Sequence, residues 1–209
     1  MNDSLKRKLD LGLETLGVAA SDAQRNAMLE LVERLVHWST KVNLTSIREP
    51  AAIIERHLFD SLTLSSRIHG ARVLDIGTGG GFPGLPLAIV RPDVEFVLLD
   101  AVAKKIRFVT QMAAELGLDN VTGLHARLPE YRADRLFSTV TARAYATLDG
   151  IVSDCEHLLA DGGRILAMKG RSPEDELAAL DETWQTTVVA LEVPELDEQR
   201  HVVVLEKRR

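Results

Sequence analysis

The sequence predicts an α/β fold: a mostly parallel seven-stranded sheet covered by helices, ending in an antiparallel hairpin and preceded by a helical cap. Three observations carry this reading. Near residue 70 the hydrophobic rhythm changes from helical spacing to short β-rich runs. Beyond that point such runs alternate with helical segments, as in a parallel sheet built with crossover helices. The last two β-rich runs, 186–193 and 201–205, are joined by a loop containing Pro194 and suit a hairpin rather than another crossover.

Taken in order, Ser21 or Asp22 can cap a helix that places Met28, Leu31, Val32, Leu35 and Trp38 on one face. Residues 41–50 read as a loop, and Pro50 fits the first turn of a second helix carrying Ile54, Leu58 and Leu62. Residues 1–69 are therefore expected to form the cap and 70–209 the sheet domain. The expected strands of that domain are 72–76, 94–99, 121–124, 137–141 and 164–168, followed by the hairpin. The helix after the second strand buries Val102, Ile106, Val109 and Leu116 and displays Lys104, Lys105 and Arg107.

A chain of 209 residues with 45% hydrophobic content can bury a sizeable core. Its single cysteine, Cys155, excludes an intramolecular disulfide and a multi-cysteine zinc site. The histidines show no ligand spacing, so no metal is expected. No basic-then-apolar leader and no run near the roughly 20 residues of a membrane span is seen, which leads us to expect a cytoplasmic monomer away from membranes. The formal net charge of -6 argues against a nucleic-acid partner unless a local basic face provides the phosphate contacts.

The strongest local signal is Val73-Leu74-Asp75-Ile76-Gly77-Thr78-Gly79-Gly80-Gly81-Phe82-Pro83-Gly84, set between a buried strand and an apolar helix. Glycines at 77, 79 and 81 remove Cβ atoms where the chain turns sharply and let a ligand approach the backbone. The next strand ends in Asp100, placed to accept both hydroxyls of an adenosine ribose. Gly79, Gly81 and Gly84 also satisfy the dinucleotide pattern, and a glycine turn can exist without a ligand. Asp75 favours S-adenosylmethionine, because a carboxylate beside the loop repels a pyrophosphate and attracts an ammonium and a sulfonium. The fold expectation thereby narrows to a Rossmann-like class I S-adenosylmethionine-dependent methyltransferase.

With these pieces in view, the chain resembles the RsmG (GidB) family of bacterial 16S ribosomal RNA guanine-N7 methyltransferases. The matching pieces are Asn43-Leu44-Thr45, Arg56-His57-x-x-Asp60-Ser61, the glycine loop, Leu98-Leu99-Asp100, Ala142-Arg143-Ala144, Met168-Lys169-Gly170 and Arg200-His201. The resemblance implies that the substrate is a guanine of 16S rRNA, nucleotide 527 in that family, in free RNA or in a small-subunit assembly intermediate. It also implies cofactor contacts from Gly77, Phe82, Leu128, Pro129 and Arg143. Gly80 and Phe82 stand where proline and leucine are expected, and Leu128-Pro129 where a small or apolar residue and an acid are usual. A backbone contact survives those changes, whereas a side-chain contact at Pro129 does not.

The residues after the fourth strand, Thr141-Ala142-Arg143-Ala144-Tyr145, bear on the methyl acceptor. They lack the Asn/Asp-Pro-Pro-aromatic tetrad used for exocyclic amines, and no cysteine stands ready as the nucleophile that cytosine C5 requires. Guanine N7 carries an in-plane lone pair and needs alignment, not a base. Arg143 is the residue expected to serve catalysis, by positioning the base, a phosphate or the cofactor. Asn43, Arg56, His57, Lys169 and Arg200 are candidates for RNA contact. His57, Asp60 and Ser61 at helical spacing read as one polar face, either substrate-side, solvated or tying cap to core. Two other functions remain open on residues alone: methylation of a small molecule or protein, and a non-catalytic cofactor-binding or ribosome-assembly module.

Overall fold

The computed structural model describes residues 3–208, so Arg209, part of the basic terminal run Lys207-Arg208-Arg209, lies outside the described residues. Helices α1 (Asp3–Leu16) and α2 (Asp22–Ser39) open the chain. Ser21 caps α2 in a reciprocal arrangement: its hydroxyl accepts from the Gln24 amide at 3.2 Å, and its own amide donates to the Gln24 side chain at 2.8 Å. Both ends of that turn are thereby satisfied.

Pro50 begins α3 (Pro50–Ile53), but the helix does not continue in α geometry. A π-helical stretch, Ile54–Phe59, intervenes before the short α4 (Asp60–Leu62). The extra residue per turn rotates the polar positions away from where regular helical spacing puts them. As a result Asp60 and Ser61, expected on a polar face opposite the apolar stripe, are 3% and 0% exposed. The solvated-face reading of this segment is therefore incorrect. Gly12 of α1 makes room for the buried Phe59, whose ring would lie 2.0 Å from a Cβ at that position.

The remaining chain forms β1 (Arg72–Ile76), α5 (Gly84–Val90), β2 (Glu95–Asp100), α6 (Ala103–Glu115), β3 (Val121–His125), β4 (Phe137–Arg143), α7 (Leu148–Cys155), β5 (Leu159–Lys169), α8 (Glu174–Ala178), β6 (Trp184–Ala190) and β7 (His201–Lys207). The sheet order is β3-β2-β1-β4-β5-β7-β6. Five strands run parallel, and β7 pairs antiparallel with both β5 and β6, as the terminal runs predict. Strand order reverses between β1 and β4, so the loops after these strands open a crevice at the carboxyl edge.

One apolar core lies on each sheet face. The larger joins Leu9, Leu31, Leu35, Leu58 and Phe59 of the cap to Val73, Phe96 and Leu166 of the sheet. Cap and sheet thus share a core. The other face packs α7 against β1, β4 and β5, and Cys155 is buried there with its thiol pKa pushed by burial to about 12. Such a thiol serves packing and suits no nucleophile, in line with the expectation that no cysteine attacks the methyl acceptor.

Candidate active site

Asp75, at the end of β1, organises the glycine loop from beneath. Its Oδ2 accepts from the Thr78 hydroxyl at 2.6 Å and the Gly84 amide at 3.1 Å, and its Oδ1 from the Thr141 hydroxyl at 2.9 Å. Complete burial raises its pKa to about 6 against the pull of these three donors. With both oxygens engaged by the loop and by β4, and with no exposure, Asp75 does not line the cleft, which revises its expected place in direct contact with the cofactor. Gly77 and Gly79 take left-handed φ values of 63° and 60°, while Gly81 lets the loop press onto Leu85, 2.3 Å from where a Cβ would stand. Gly81 is therefore a packing glycine, and the buried Phe82 faces the cap, its ring centroid 5.0 Å from that of His57.

Asp100 closes the cleft on the β2 side. Its carboxylate accepts from the Gly79 amide at 3.0 Å and the Val102 amide at 2.9 Å, and pairs with Lys105 at 3.3 Å. Gly77, Asp100, Ala101, Lys105 and Leu128 line this cleft, with Tyr145 across from them. The Tyr145 ring packs on Gly77, and its hydroxyl donates to Asp154 at 2.8 Å. Pro129 is exposed and does not line the cleft.

A second cleft lies on the other side of the β4 terminus, lined by Arg56, His57, Asp60, Arg143, Lys169 and Arg200. The two clefts share Ala144, whose φ of 52° turns the chain sharply out of β4. Arg143 reaches back to the cap: one guanidinium nitrogen donates to the Arg56 carbonyl and to Asp60 Oδ2, both at 3.2 Å, with its carbon 5.4 Å from the Phe82 centroid. Arg200 approaches Asp60 Oδ1 at 3.5 Å, too far for a hydrogen bond. Burial raises the Asp60 pKa, and the two guanidiniums oppose that rise.

A model of the family described as rRNA small subunit methyltransferase G (GidB) matches residues 24–203. The chain belongs to this family. Its relatives named ribosomal RNA small subunit methyltransferase G include one from Idiomarina loihiensis, 44% identical over 98% of this chain and 100% of that protein. Another, from Escherichia coli, is 42% identical over 97% of this chain and 98% of its own length. Among solved structures, a SAM-dependent methyltransferase from Aquifex aeolicus superposes with a TM-score of 0.57 at 17% identity, covering 75% of this chain and 93% of its own. The N-methyltransferase NodS from Bradyrhizobium japonicum, in complex with S-adenosyl-L-homocysteine, does so with 0.57 at 14% identity, covering 86% and 98%. The fold is thus the Rossmann-like methyltransferase fold, and the protein is a methyltransferase of the GidB family.

In this GidB-family chain the sequence candidates fall into groups. Gly77, Asp100 and Leu128 line the first cleft, and Gly79 stands at its edge. Arg56, His57, Arg143, Lys169 and Arg200 line the second. Asn43 sits exposed on the preceding loop, outside that lining, whereas its neighbour Thr45 binds His57. Three expected RNA contacts are already paired: Arg56 with Glu198 at 2.6 Å, Arg200 with Glu198 at 2.9 Å, and Lys169 with Glu176 at 2.7 Å. Lys169 also donates to the Ala146 carbonyl, so it staples β5 to the turn after β4. Ala144 is given no role by the sequence, whereas Asp60, read there as substrate-side, solvated or tying cap to core, ties the cap to the end of β4 through Arg143. Asp60 lay within a recognised motif, but only the π-helical turn aims it into the cleft.

His57 is held neutral. Its Nε2 is 2.9 Å from the Thr45 hydroxyl and its Nδ1 is 3.0 Å from the Arg56 carbonyl, so we assign the proton to Nδ1. The 3.4 Å approach of Arg143 to the same nitrogen is then an electrostatic contact. Burial and then Arg143 lower the His57 pKa to about 4, while the unfolded chain titrates near 6.5. Between those values the unfolded chain binds more protons, so His57 withdraws stability as pH falls through this window. Asp75, raised to about 6, adds stability over part of the same fall. Replacing His57 by Phe should therefore remove about 2 kcal/mol of the stability that the parent loses between pH 7 and 4.5. Urea unfolding at both pH values reads the difference; equal losses in parent and variant would refute the assignment.

Proposed function

We propose that this chain transfers the methyl group of S-adenosylmethionine to N7 of a guanine in 16S ribosomal RNA of the small subunit, the position corresponding to nucleotide 527 in its family. The observation that carries this reading is the meeting of two clefts at Ala144, one shaped for a nucleoside and the other lined by arginines. The family model and the relatives' printed names support the ribosomal substrate.

The first cleft fits the cofactor. A Cβ on Gly79 would meet nothing nearer than the Gly77 carbonyl at 3.9 Å, so the space beside the loop is open to a ligand. Asp100 is oriented by two amides to accept ribose hydroxyls, Leu128 offers an apolar wall for the adenine, and Asp75 and Asp100 supply negative field. When bound, S-adenosylmethionine supplies an electrophilic methyl on a sulfonium.

The second cleft holds the base by position rather than by proton transfer. Both His57 nitrogens have partners and its pKa lies near 4, and Asp60 is held between two guanidiniums. Such a site suits an acceptor that already carries a lone pair, as guanine N7 does, and suits a ring carbon or exocyclic amine poorly, since these must lose a proton. Arg143 keeps donors free for guanine O6 or a phosphate, because one of its nitrogens makes all its contacts to the cap. A ribosomal RNA substrate, as the relatives' names support, favours the cytoplasm as the site of reaction; no described helix is long and apolar enough to cross a membrane.

Mass mapping of 16S rRNA from cells with and without this protein tests the reading directly. A 7-methylguanosine present only with the protein is expected, and a methyl on another atom would overturn the base-free chemistry. On the cofactor side, Asp100→Ala should weaken S-adenosylmethionine binding by about one to two decades, as lost charge-assisted hydrogen bonds of roughly 1.5–3 kcal/mol require. Gly79→Leu should abolish binding, since its side chain enters the open space. Calorimetry measures both; a change below about twofold for Asp100→Ala would make that carboxylate a loop anchor only.

A further inference from the structure

Apart from the two clefts, the most distinctive surface is a groove between the end of α2 and the exposed side of α6, lined by Arg34, His37, Trp38, Lys41, Lys104 and Arg107. On α6, Lys104 and Arg107 are spaced i, i+3, and on the opposite wall Arg34, His37 and Lys41 repeat at three and four residues. Each wall thus presents a row of basic side chains. No carboxylate lines the groove. Arg34 is held at its rim by Glu30 at 3.1 Å and Glu115 at 3.2 Å. The side chains of Lys41, Lys104 and Arg107 have no ion pair or hydrogen bond among the described residues. Half-buried Trp38, edge-on to Phe108 at 5.6 Å, contributes an aromatic surface.

This contrasts with the second cleft, where Arg56, Arg143, Lys169 and Arg200 all face carboxylates. A chain of net charge -6 needs unneutralised cations somewhere to hold a polyanion, because affinity for phosphates comes from counterion release. The groove concentrates them, and its lining includes sequence neighbours of residues that line the two clefts. Lys104 lines the groove while the adjacent Lys105 lines the first cleft, and Val42 lines the groove while Ile47, on the same loop, lines the second.

We infer that the groove between α2 and α6 binds the phosphodiester backbone of an unpaired RNA stretch flanking the target nucleotide, with Lys41, Lys104 and Arg107 on phosphates and Trp38 offering a stacking surface. The inference rests on the ribosomal RNA substrate proposed above. It moves the phosphate-binding role expected of Lys169 to residues whose charge is not already spent. Alternating cations with one aromatic surface is the arrangement that holds single strands without reading their bases.

The test uses the full chain with a 16S rRNA transcript and with small-subunit particles from cells lacking this protein. Lys104→Ala/Arg107→Ala should bind RNA roughly tenfold more weakly at physiological salt and lower the magnitude of the log affinity against log salt slope by about 1.4, as two lost single-strand phosphate contacts require. Trp38 packs on Phe108 and the core, so the third variant is the exposed Lys41→Ala, which should lower the slope by about 0.7. KM for RNA should rise while single-turnover transfer at saturating RNA keeps its rate, and cofactor affinity should not move. The matched pair Lys6→Ala/Arg7→Ala on α1 controls for net charge and should leave the slope as in the parent. A parental slope and KM in Lys104→Ala/Arg107→Ala overturn the groove while leaving the methylation reading intact. A parent that shows the groove-dependent slope but modifies an atom other than guanine N7 overturns that reading and supports the groove.

Discussion

Arg143→Ala is expected to remain folded and to bind S-adenosylmethionine, yet to lose methyl transfer by roughly 10²-fold, the scale on which small misplacements of bound reactants act. Arg143 stands where the two clefts meet, and its contacts run from the end of β4 to the cap. Removing it frees the acceptor side from the cofactor side without exposing the core. The protein tolerates the loss because the stranded Asp60 can take up a proton, toward which burial already drives it, and retains Arg200 nearby. Single-turnover transfer at saturating RNA separates positioning from binding. A saturated variant reacting at the parental rate would remove Arg143 from catalysis and leave it a structural ion pair. Arg143→Lys should recover little, since a point charge cannot hold the cap and keep further donors aimed at a base.

Asp60→Ala should have the opposite balance, with stability falling by about 2–3 kcal/mol, somewhat below the 3–5 kcal/mol of fully buried pairs. The Asp60 side chain is 5% exposed and lies between two guanidiniums whose side chains are each 20% exposed. Arg200 keeps Glu198, but Arg143 has no other ion pair among the described residues and cannot discharge by losing a proton, which makes it the costlier partner to leave alone. For a chain of this size the shift corresponds to a melting temperature lower by roughly 5–10 °C. Asp60→Asn, which keeps an oxygen for Arg143, should recover part of it. Thermal unfolding that changes by less than about 1 °C in Asp60→Ala would show that the cap is held by its apolar contacts alone.

Much of the fold is legible in the residues because the signals are local. The change from helical to alternating rhythm near residue 70 and the apolar run of β1 report burial directly, as do the two terminal β-rich runs. Strand ends are less local: β5 begins at Leu159, ahead of the predicted 164, because Phe137 of β4 pairs with Leu159 across a register irregularity that the residues of β5 do not announce. Likewise Thr186 was expected to open the hairpin, but β6 begins at Trp184, paired with Lys207.

At the site, the glycine loop and the acid after β2 could be named in advance because a ligand approaching backbone demands those residue types at that spacing. The sequence by itself determined the fold class, and it marked the glycine loop and the arginine after β4 as candidates that the fold brings to the two clefts. The tertiary structure alone decided which charges are available. Whether Lys169 meets an RNA phosphate or Glu176, whether Asp75 faces a ligand or three loop donors, and whether Asp60 points to water or to Arg143 depend on partners distant in the chain. The π-helical turn shows the reason: one extra residue within a helix redirects a carboxylate by far more than side-chain periodicity can reveal. A charge takes its meaning from the nearest opposite charge and the water it has lost, and both are properties of the packed molecule.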